Sequence, residues 1–585
     1  AAVVPAAAAA PAHAAPRPIV YAIVIDGLDG DRVDQGDAPF ISSLIAGQQA
    51  RTTYFRESRS IMVAETNPNH TAMMTGAYAG RSGIFSNTFA VYAPLENEDS
   101  CRRTGPVDYA HMPTETSGEN ANCVLAQTVF EAIKRQGNPD RLATAAIFGK
   151  PKLGRIFAGA RVDPPRHDVD HLWAPCSSGP EDDGYCGDVP TNPISGYAID
   201  DKTVMDEVIR TIRQGIRADG RVKRPDFTFV NLHQTDSAGH AFTPDSGVYD
   251  VAIGMADDEI ERLVNELRSR GEWQRTVLVL LSDHSMDTTP TKTSVDESFD
   301  SAGISDDRYL VIGKSSVDQI YLANRVSPNR FALLKRMRAA ALSNPGVREA
   351  LYREPNPADG GAAHTIAGVH PGWQATGGDR TPDLFLTHNR GGSFADPDPA
   401  DQPFTGHHGA PQTRDNFLAV VGGGAFVRQH ALAGRVVHPF YNDTLVNVHQ
   451  SENVDVAPTV MGAFGLFAPS ANRGRFLAEA FDRSALPGAA KPARPSLTVR
   501  RVGKLRSAAA CAGRRYRLDF APAGGRYDLT VRSGGANRTL LRRSRRTSFV
   551  FSARAGETYL FSLRSRSAAN VASDAARAAR TVPRC

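Results

Sequence analysis

No stretch of the 585-residue sequence offers the roughly 18 to 20 uninterrupted apolar residues of a membrane-spanning helix. The uncharged run from Val456 to Asn472 is interrupted by Pro458, Gly462, Gly465 and Pro469. Cysteine is scarce, six in all and none in a C-x-x-C arrangement, which excludes the common metal-knuckle and dithiol redox motifs. Zinc-finger, RRM and helix-turn-helix signatures are also missing, so sequence-specific nucleic-acid recognition has no support. Glycine (51) and proline (38) follow no period, and hydrophobic residues make up 41% against 22% charged. Collagen and a wholly disordered chain are thereby excluded. Acidic residues are nearly missing from one end: Lys491 to Cys585 holds 22 lysines and arginines against 4 acids, although the whole chain carries only +4. Two bodies of opposite charge are expected.

The first sixteen residues are Ala-rich and uncharged, with Ala12-His13-Ala14 resembling an export cleavage site. We read 1–17 as a signal remnant, with structure beginning at Pro18. The cysteines fall as three sequence-local couples, Cys101 with Cys123, Cys176 with Cys186 and Cys511 with Cys585. Of the fifteen possible pairings this one is expected, in a secreted or cell-surface protein whose surroundings are oxidising.

Short apolar runs at Ile19 to Ile25, Leu142 to Phe148, Phe227 to Leu232, Val277 to Leu281, Asp383 to Leu386 and Leu418 to Val421 are continuous rather than alternating. A parallel sheet covered on both faces requires that pattern. Amphipathic segments at Ala126 to Gln136, Val204 to Ile216 and Val248 to Ser269 lie between them. Strands alternating with helices predict an α/β domain over 18–484, with a doubly wound, mostly parallel sheet. Polar, Gly/Pro-rich stretches at Glu96 to Asn122 and Asp163 to Pro193 read as disulfide-pinned insertions, and Asp396 to Asp401 as loop. A linker is expected at 485–498 and a small basic β-sandwich at 499–585, where β-like runs are separated by Gly-Gly turns.

The chemistry gathers where the apolar runs end. The first delivers Asp26; the run ending at Leu232 precedes Asp236-Ser-Ala-Gly-His240; the run ending at Leu281 leads to Ser282-Asp283-His284; and Gly406-His407-His408-Gly409 stands ahead of Leu418. Ligands of open α/β sheets collect at the carboxyl ends of strands. Carboxylate and imidazole are the donors that divalent metals of hydrolytic sites take, and a carboxylate ending a buried strand is costly unless a cation meets it. Thr66, in Glu65-Thr66-Asn67-Pro68-Asn69-His70, precedes a predicted helix whose free N–H groups favour an anion. Its hydroxyl is a candidate nucleophile toward phosphorus.

In order and placement these motifs resemble the alkaline phosphatase superfamily, most closely its type I phosphodiesterase and nucleotide pyrophosphatase branch, over roughly Ile19 to Leu466. The resemblance implies two divalent metal ions, zinc being expected. One would be held by Asp26, Thr66, Asp283 and His284, the other by Asp236, His240 and His408. It implies that Thr66 forms a phosphothreonine intermediate that is then hydrolysed, and that Asn87 in Gly83-Ile-Phe-Ser-Asn87 donates to a nonbridging oxygen. Of the two adjacent histidines, the family pattern favours His408 over His407. His70 reads as a helix-start hydrogen-bonding residue.

Some positions depart from the branch. Asn67 replaces an aromatic base-gripping residue of animal nucleotide pyrophosphatases, and Glu65 replaces a frequent Lys. A carboxylate there repels a dianionic monoester more than a diester. Thr-Asn-Pro-Asn also resembles phosphonoacetate hydrolases, while Lys150 and Lys152 in Phe148-Gly-Lys-Pro-Lys152 are candidate phosphate contacts of a phosphomonoesterase. No C-x-P-x-R or S-x-P-x-R sulfatase signature is present. The expected activity is phosphodiesterase or pyrophosphatase, with phosphomonoesterase and phosphonoacetate hydrolase as alternatives. A surface polymer-binding protein without catalysis is the alternative from another class. The basic tail, densest at Arg542 to Arg546, is a candidate for binding a polyanion or cell-surface polymer.

Overall fold

The computed structural model describes residues 17–583 except 97–100, 102–103, 137–141, 158–168, 176–199, 314, 396–404, 429–449, 488–491, 493, 503–513, 522–525, 535 and 568–571. The described residues form two compact units, Ile19–Gly462 with Leu466–Phe481, and Asp482 onward with Ala463–Gly465.

The larger unit is built on an eight-stranded sheet. Its strands are β1 (Ile19–Ile25), β2 (Arg51–Arg59), β3 (Thr144–Phe148), β4 (His171–Trp173), β5 (Phe227–Leu232), β6 (Thr276–Leu281), β7 (Asp415–Gly422) and β8 (Ser451–Glu452). They lie in the order β8-β2-β7-β6-β1-β5-β3-β4. From β6 through β4 every pair is parallel. Every residue of β1, β3, β5 and β6 is buried, as their continuous apolar sequences require.

Five helices bear on the site: α1 (Thr66–Thr75), α2 (Pro151–Phe157), α3 (Asp201–Gln214), α4 (Gln234–Phe242) and α5 (Gly247–Ser269). Helix α5 shows why an apolar stripe makes a packed helix. Tyr249, Ala252, Ile253, Ala256, Ile260, Leu263, Val264 and Leu267 recur at three- and four-residue intervals and enter the core. On the same buried side, the Asp257 carboxylate accepts from the N–H groups of Phe40 and Ile41 at 2.7 and 2.8 Å, satisfying the free donors at a neighbouring helix start.

Two expected parallel strands are placed differently. The run Leu418 to Val421 lies in the main sheet as β7, but antiparallel to both β6 and β2. The run Asp383 to Leu386 belongs to a separate antiparallel sheet of Tyr309–Ile312, Val317–Leu322, Leu384–His388 and Val347–Tyr352, with its own apolar core. An apolar run reports burial on both faces but not chain direction or which layer it joins, so both misplacements share one cause. Strand β2, with its Arg, Thr, Glu and Ser residues, carried no such run.

The smaller unit holds two antiparallel sheets. One joins Ser496–Val502, Arg514–Ala521 and Ser548–Ala553; the other joins Ala536–Ser544, Arg526–Ser533, Thr558–Arg566 and Ala576–Thr581. Burial alternates along these strands, and their inward residues, including Leu518, Phe520, Leu529, Phe561 and Leu563, share one core.

Cys101 and Cys123 form the expected disulfide. The other two cysteine couples, residues 1–16, most of Asp163 to Pro193 and the Asp396 to Asp401 run lie outside the described residues.

Candidate active site

Strand ends and helix starts bring the candidate residues together at one edge of the main sheet. Asp26 follows β1, α4 carries Asp236 and His240 one turn apart, Asp283 and His284 follow β6, and His408 comes from the loop before β7. Gly27 lets two of these segments meet. Its φ is +73°, and a Cβ there would lie 2.9 Å from the Asp236 Cα.

Two groups of ligand atoms result. Asp26, Asp283 and His284 form one, and Asp236, His240 and His408 the other; within each, one donor atom per residue lies within 4.8 Å of the rest. The three imidazoles are held alike. Nδ1–H of His240 donates to the Gly406 carbonyl at 2.8 Å, that of His408 to Ala64 at 3.1 Å and that of His284 to Ser285 at 3.2 Å. Each bond fixes the tautomer and leaves the Nε2 lone pair facing the cluster. His240 and His408 aim Nε2 at the same oxygen, Asp236 Oδ1, at 3.5 and 3.6 Å, and His284 Nε2 is 3.2 Å from Asp283 Oδ2. Both carboxylate oxygens are buried and have no hydrogen-bond partner among the described residues. Lone pairs converging on buried lone pairs repel unless a cation lies between them. This donor set therefore fits divalent metal ions, one in each group.

The charges agree. Burial, reinforced by the neighbouring Asp26 carboxylate, pushes Asp283 well above the usual carboxylate range. Burial would raise Asp26 and Asp236 too, but the Lys150 ammonium holds both below it. Burial lowers His284 to about 4 and takes His408 well below its ordinary value, so both rings are neutral near pH 7, as ligands must be.

Thr66 opens α1 and is buried between the groups. Its Oγ1 lies 3.5 Å from His284 Nε2 and 3.3 Å from Lys150 Nζ. Lys150 is buried as well, with Nζ 2.9 Å from Asp26 Oδ1 and 2.6 Å from Asp236 Oδ2. One ammonium thus spans a carboxylate from each group and the Thr66 hydroxyl. Lys152, two residues on, is half-buried and forms no hydrogen bond or ion pair with the cluster among the described residues.

Asn87 stands beside this helix start. Its Oδ1 accepts from the Asn67 N–H at 2.9 Å, which orients the amide and leaves Nδ2 for another acceptor. Glu65 does not stand loose: Oε2 accepts from Ser86 Oγ at 2.5 Å and Asn87 N–H at 2.6 Å, and Oε1 accepts from Ser315 Oγ at 3.0 Å. Glu65, Asn87, His240, His407 and His408 line a cavity of about 510 Å³ together with Thr88, Ser315, Gln319 and the apolar Val311, Ile312 and Val317. His407 packs 5.1 Å from the His240 ring and lies outside both ligand groups.

Sequence reading missed the supports. Asn231, inside β5, gives one amide proton to Asp26 Oδ2 at 2.8 Å and one to His70 Nε2 at 3.1 Å. His70 Nδ1–H donates to the Thr66 carbonyl at 3.0 Å, so a single chain of bonds runs from Asp26 to the start of α1. Asn69 Oδ1 accepts from Ile61 N–H and Asn453 Nδ2, and Asn453 Nδ2 also donates to the Asp283 carbonyl. The one available signal was an amide side chain, Asn231, in a mostly apolar buried strand, which is expensive without a partner.

The protein-family model described as type I phosphodiesterase/nucleotide pyrophosphatase matches residues 20–411. Venom phosphodiesterases of Macrovipera lebetinus and Naja atra are 36% identical over 67 residues, 12% of this chain. That stretch spans only 8% of the length of these curated relatives. Among solved structures, murine ectonucleotide pyrophosphatase/phosphodiesterase 5, an inactive variant in complex with AMP, superposes with a TM-score of 0.53 at 15% identity, covering 77% of this chain and 96% of that one. The human counterpart gives 0.52 at 16% identity, covering 77% and 95%. These structures share the fold of the larger unit. With a family model spanning most of that unit, the chain belongs to the type I phosphodiesterase/nucleotide pyrophosphatase family of hydrolases.

Proposed function

We propose that this protein is an extracytoplasmic phosphodiesterase or pyrophosphatase that hydrolyses phosphate esters through a phosphothreonine intermediate on Thr66. The observation that carries the reading is the Thr66 hydroxyl, buried at a helix start between two carboxylate–imidazole groups. Divalent ions, zinc in our reading, held by Asp26, Asp283, His284 and Thr66 and by Asp236, His240 and His408, would supply Lewis-acid charge for the entering and leaving oxygens. The chain's own residues do the rest. The Asn87 amide, through Nδ2, receives a nonbridging oxygen, whose charge grows as Thr66 Oγ1 bonds to phosphorus and the leaving oxygen departs. Asn231 and His70 hold the α1 start against Asp26, keeping Oγ1 in line.

A diester is favoured over a monoester by two neighbours. Lys150 already faces two carboxylates, so its charge is committed, and Glu65 keeps a carboxylate in the wall of the cavity. A second phosphate charge would meet repulsion there. The venom and ecto-enzyme names of the relatives and the Cys101–Cys123 bond support a location outside the cytoplasm. The basic smaller unit is read as a holder of polyanionic polymer.

The test is the ratio of kcat/KM for bis(p-nitrophenyl) phosphate to that for p-nitrophenyl phosphate. A ratio of about ten or more, some 1.4 kcal/mol in transition-state binding, is expected. The reverse preference would move the assignment to a phosphomonoesterase, and cleavage of neither substrate, with phosphonoacetate cleaved instead, to a phosphonate hydrolase. Full activity in Thr66→Ala would remove the nucleophile assignment whichever substrate wins.

A further inference from the structure

At the opposite end of α1 from Thr66 lies a second, smaller cavity of about 260 Å³, and it is lined by two arginines, Arg81 and Arg473. The fold brings them together through the helix C-cap. Gly76, in the left-handed region at φ +66°, ends α1, and its carbonyl accepts from the Arg473 N–H at 2.6 Å. Arg81 follows five residues after Gly76 on the next short turn of helix. Neither guanidinium has a carboxylate or any hydrogen-bond partner among the described residues. Arg473 is held below its ordinary value by partial burial and then by Arg81. Both side chains are exposed at the rim of the cavity, so water screens their mutual repulsion, and the α1 C-terminus, equivalent to about half a negative charge, does not balance them. The remaining wall supplies Gln374 and Thr376 as polar groups and Ile366, Pro371 and Ala375 as an apolar floor. Gln374 itself is held at φ +46°, an uncommon conformation for a residue with a side chain. His370 adds no acid here: it is stacked 3.7 Å from Trp373 and bonded to Glu349.

We propose that this cavity is an anion site separate from the catalytic cleft, taking one dianionic phosphate or phosphonate group between Arg81 and Arg473. Two guanidiniums match a dianion in charge and offer paired N–H donors to its oxygens. At 10 residues, α1 spans roughly 15 Å between Thr66 and this site, so both can be filled at once.

The experiment is isothermal titration of inorganic phosphate and of phenylphosphonate, which is not hydrolysed, into the full-length metal-replete protein. Three forms are compared: wild type, the Arg81→Gln/Arg473→Gln pair, and a His240→Ala/His408→Ala pair that disables the catalytic cleft. Wild type is expected to bind two anions per chain. The Arg pair should bind one, with kcat/KM on bis(p-nitrophenyl) phosphate within about twofold of wild type, while the His pair keeps the Arg-dependent site. Tenfold tighter binding of phenylphosphonate, about 1.4 kcal/mol, would identify organic phosphates as the ligand through the apolar floor, and equal binding would identify free phosphate. A single site lost in the His pair would overturn the proposal. So would an Arg pair with unchanged stoichiometry, or binding displaced by chloride at equal ionic strength. The outcome is independent of whether the catalytic cleft prefers diesters.

Discussion

Asn87 is the residue at which transition-state charge can be weighed separately from metal binding, because its amide is oriented by Asn67 and lies outside both ligand groups. Asn87→Ala is expected to lower kcat about 100-fold with metal content unchanged. An unchanged kcat would show that Nδ2 does not meet the transition state. Asp201 is a different kind of residue. Fully buried, it accepts from the N–H groups of His233 and Gln234 at the start of α4, and burial pushes it up to about 7 against those two donors. Its folded value lies above its unfolded one, so its contribution to stability is complete below about pH 4 and is lost as pH rises through 7. Asp201→Asn keeps an acceptor for both donors and removes the titration. The variant should show a flatter Tm profile between pH 4 and 7 and should match or exceed wild type above pH 7. Parallel profiles for the two proteins would mean that Asp201 does not titrate in this range.

Among the elements, the contact between the end of β1 and α4 is one that the site depends on. Gly27→Ala adds a methyl against the Asp236 backbone in a left-handed conformation. It should cost about 1–3 kcal/mol in urea unfolding and weaken metal retention by displacing Asp236; a variant equal to wild type in both would show that α4 shifts freely. The elements also mark how far sequence can be read. Asp26, Asp236, His240, Asp283, His284 and His408 were legible because each sits within a few residues of the end of an apolar strand or in a Gly-flanked loop. The strand bodies were legible because burial on both faces leaves a continuous apolar run. What escaped depends on partners distant in the chain. Asn231 meets Asp26 across 205 positions and Asn453 meets Asn69 across 384, and nothing local in either Asn names its partner. Lys150 was read as a phosphate contact from its place after β3. That its ammonium faces two carboxylates follows only from the order β1-β5-β3 in the sheet.

For the molecule as a whole, metal and stability are linked, because the ligand groups concentrate buried lone pairs that repel when empty. Chelation should abolish turnover and lower Tm by several degrees, with both restored by zinc. Retained activity at an unchanged Tm in chelator would sink the metal reading. The smaller unit carries its charge outward: Arg500, Arg515, Arg517, Arg532 and Arg577 are all exposed on its sheets. The full chain should be retained on heparin at physiological salt, and Arg515→Glu with Arg532→Glu should lower the eluting salt concentration. Elution unmoved by the reversal would leave those arginines as solvated surface.

The place of β7 bears on how the chain acquires its shape during synthesis. Strand β2 is residues 51–59, yet its sheet neighbours are β7 and β8, from residues 415–452. Until the ribosome has passed that point, β2 has no partner in the sheet and β6 has one open edge. The central sheet therefore cannot be laid down strand by strand as the chain emerges. Its β7–β2–β8 side closes late, through contacts of very long sequence separation, which is a slow route that exposes edges on the way. A chain stopped at residue 411 would keep every candidate ligand and still lack both sheet neighbours of β2, leaving that strand unpaired and one side of β6 open.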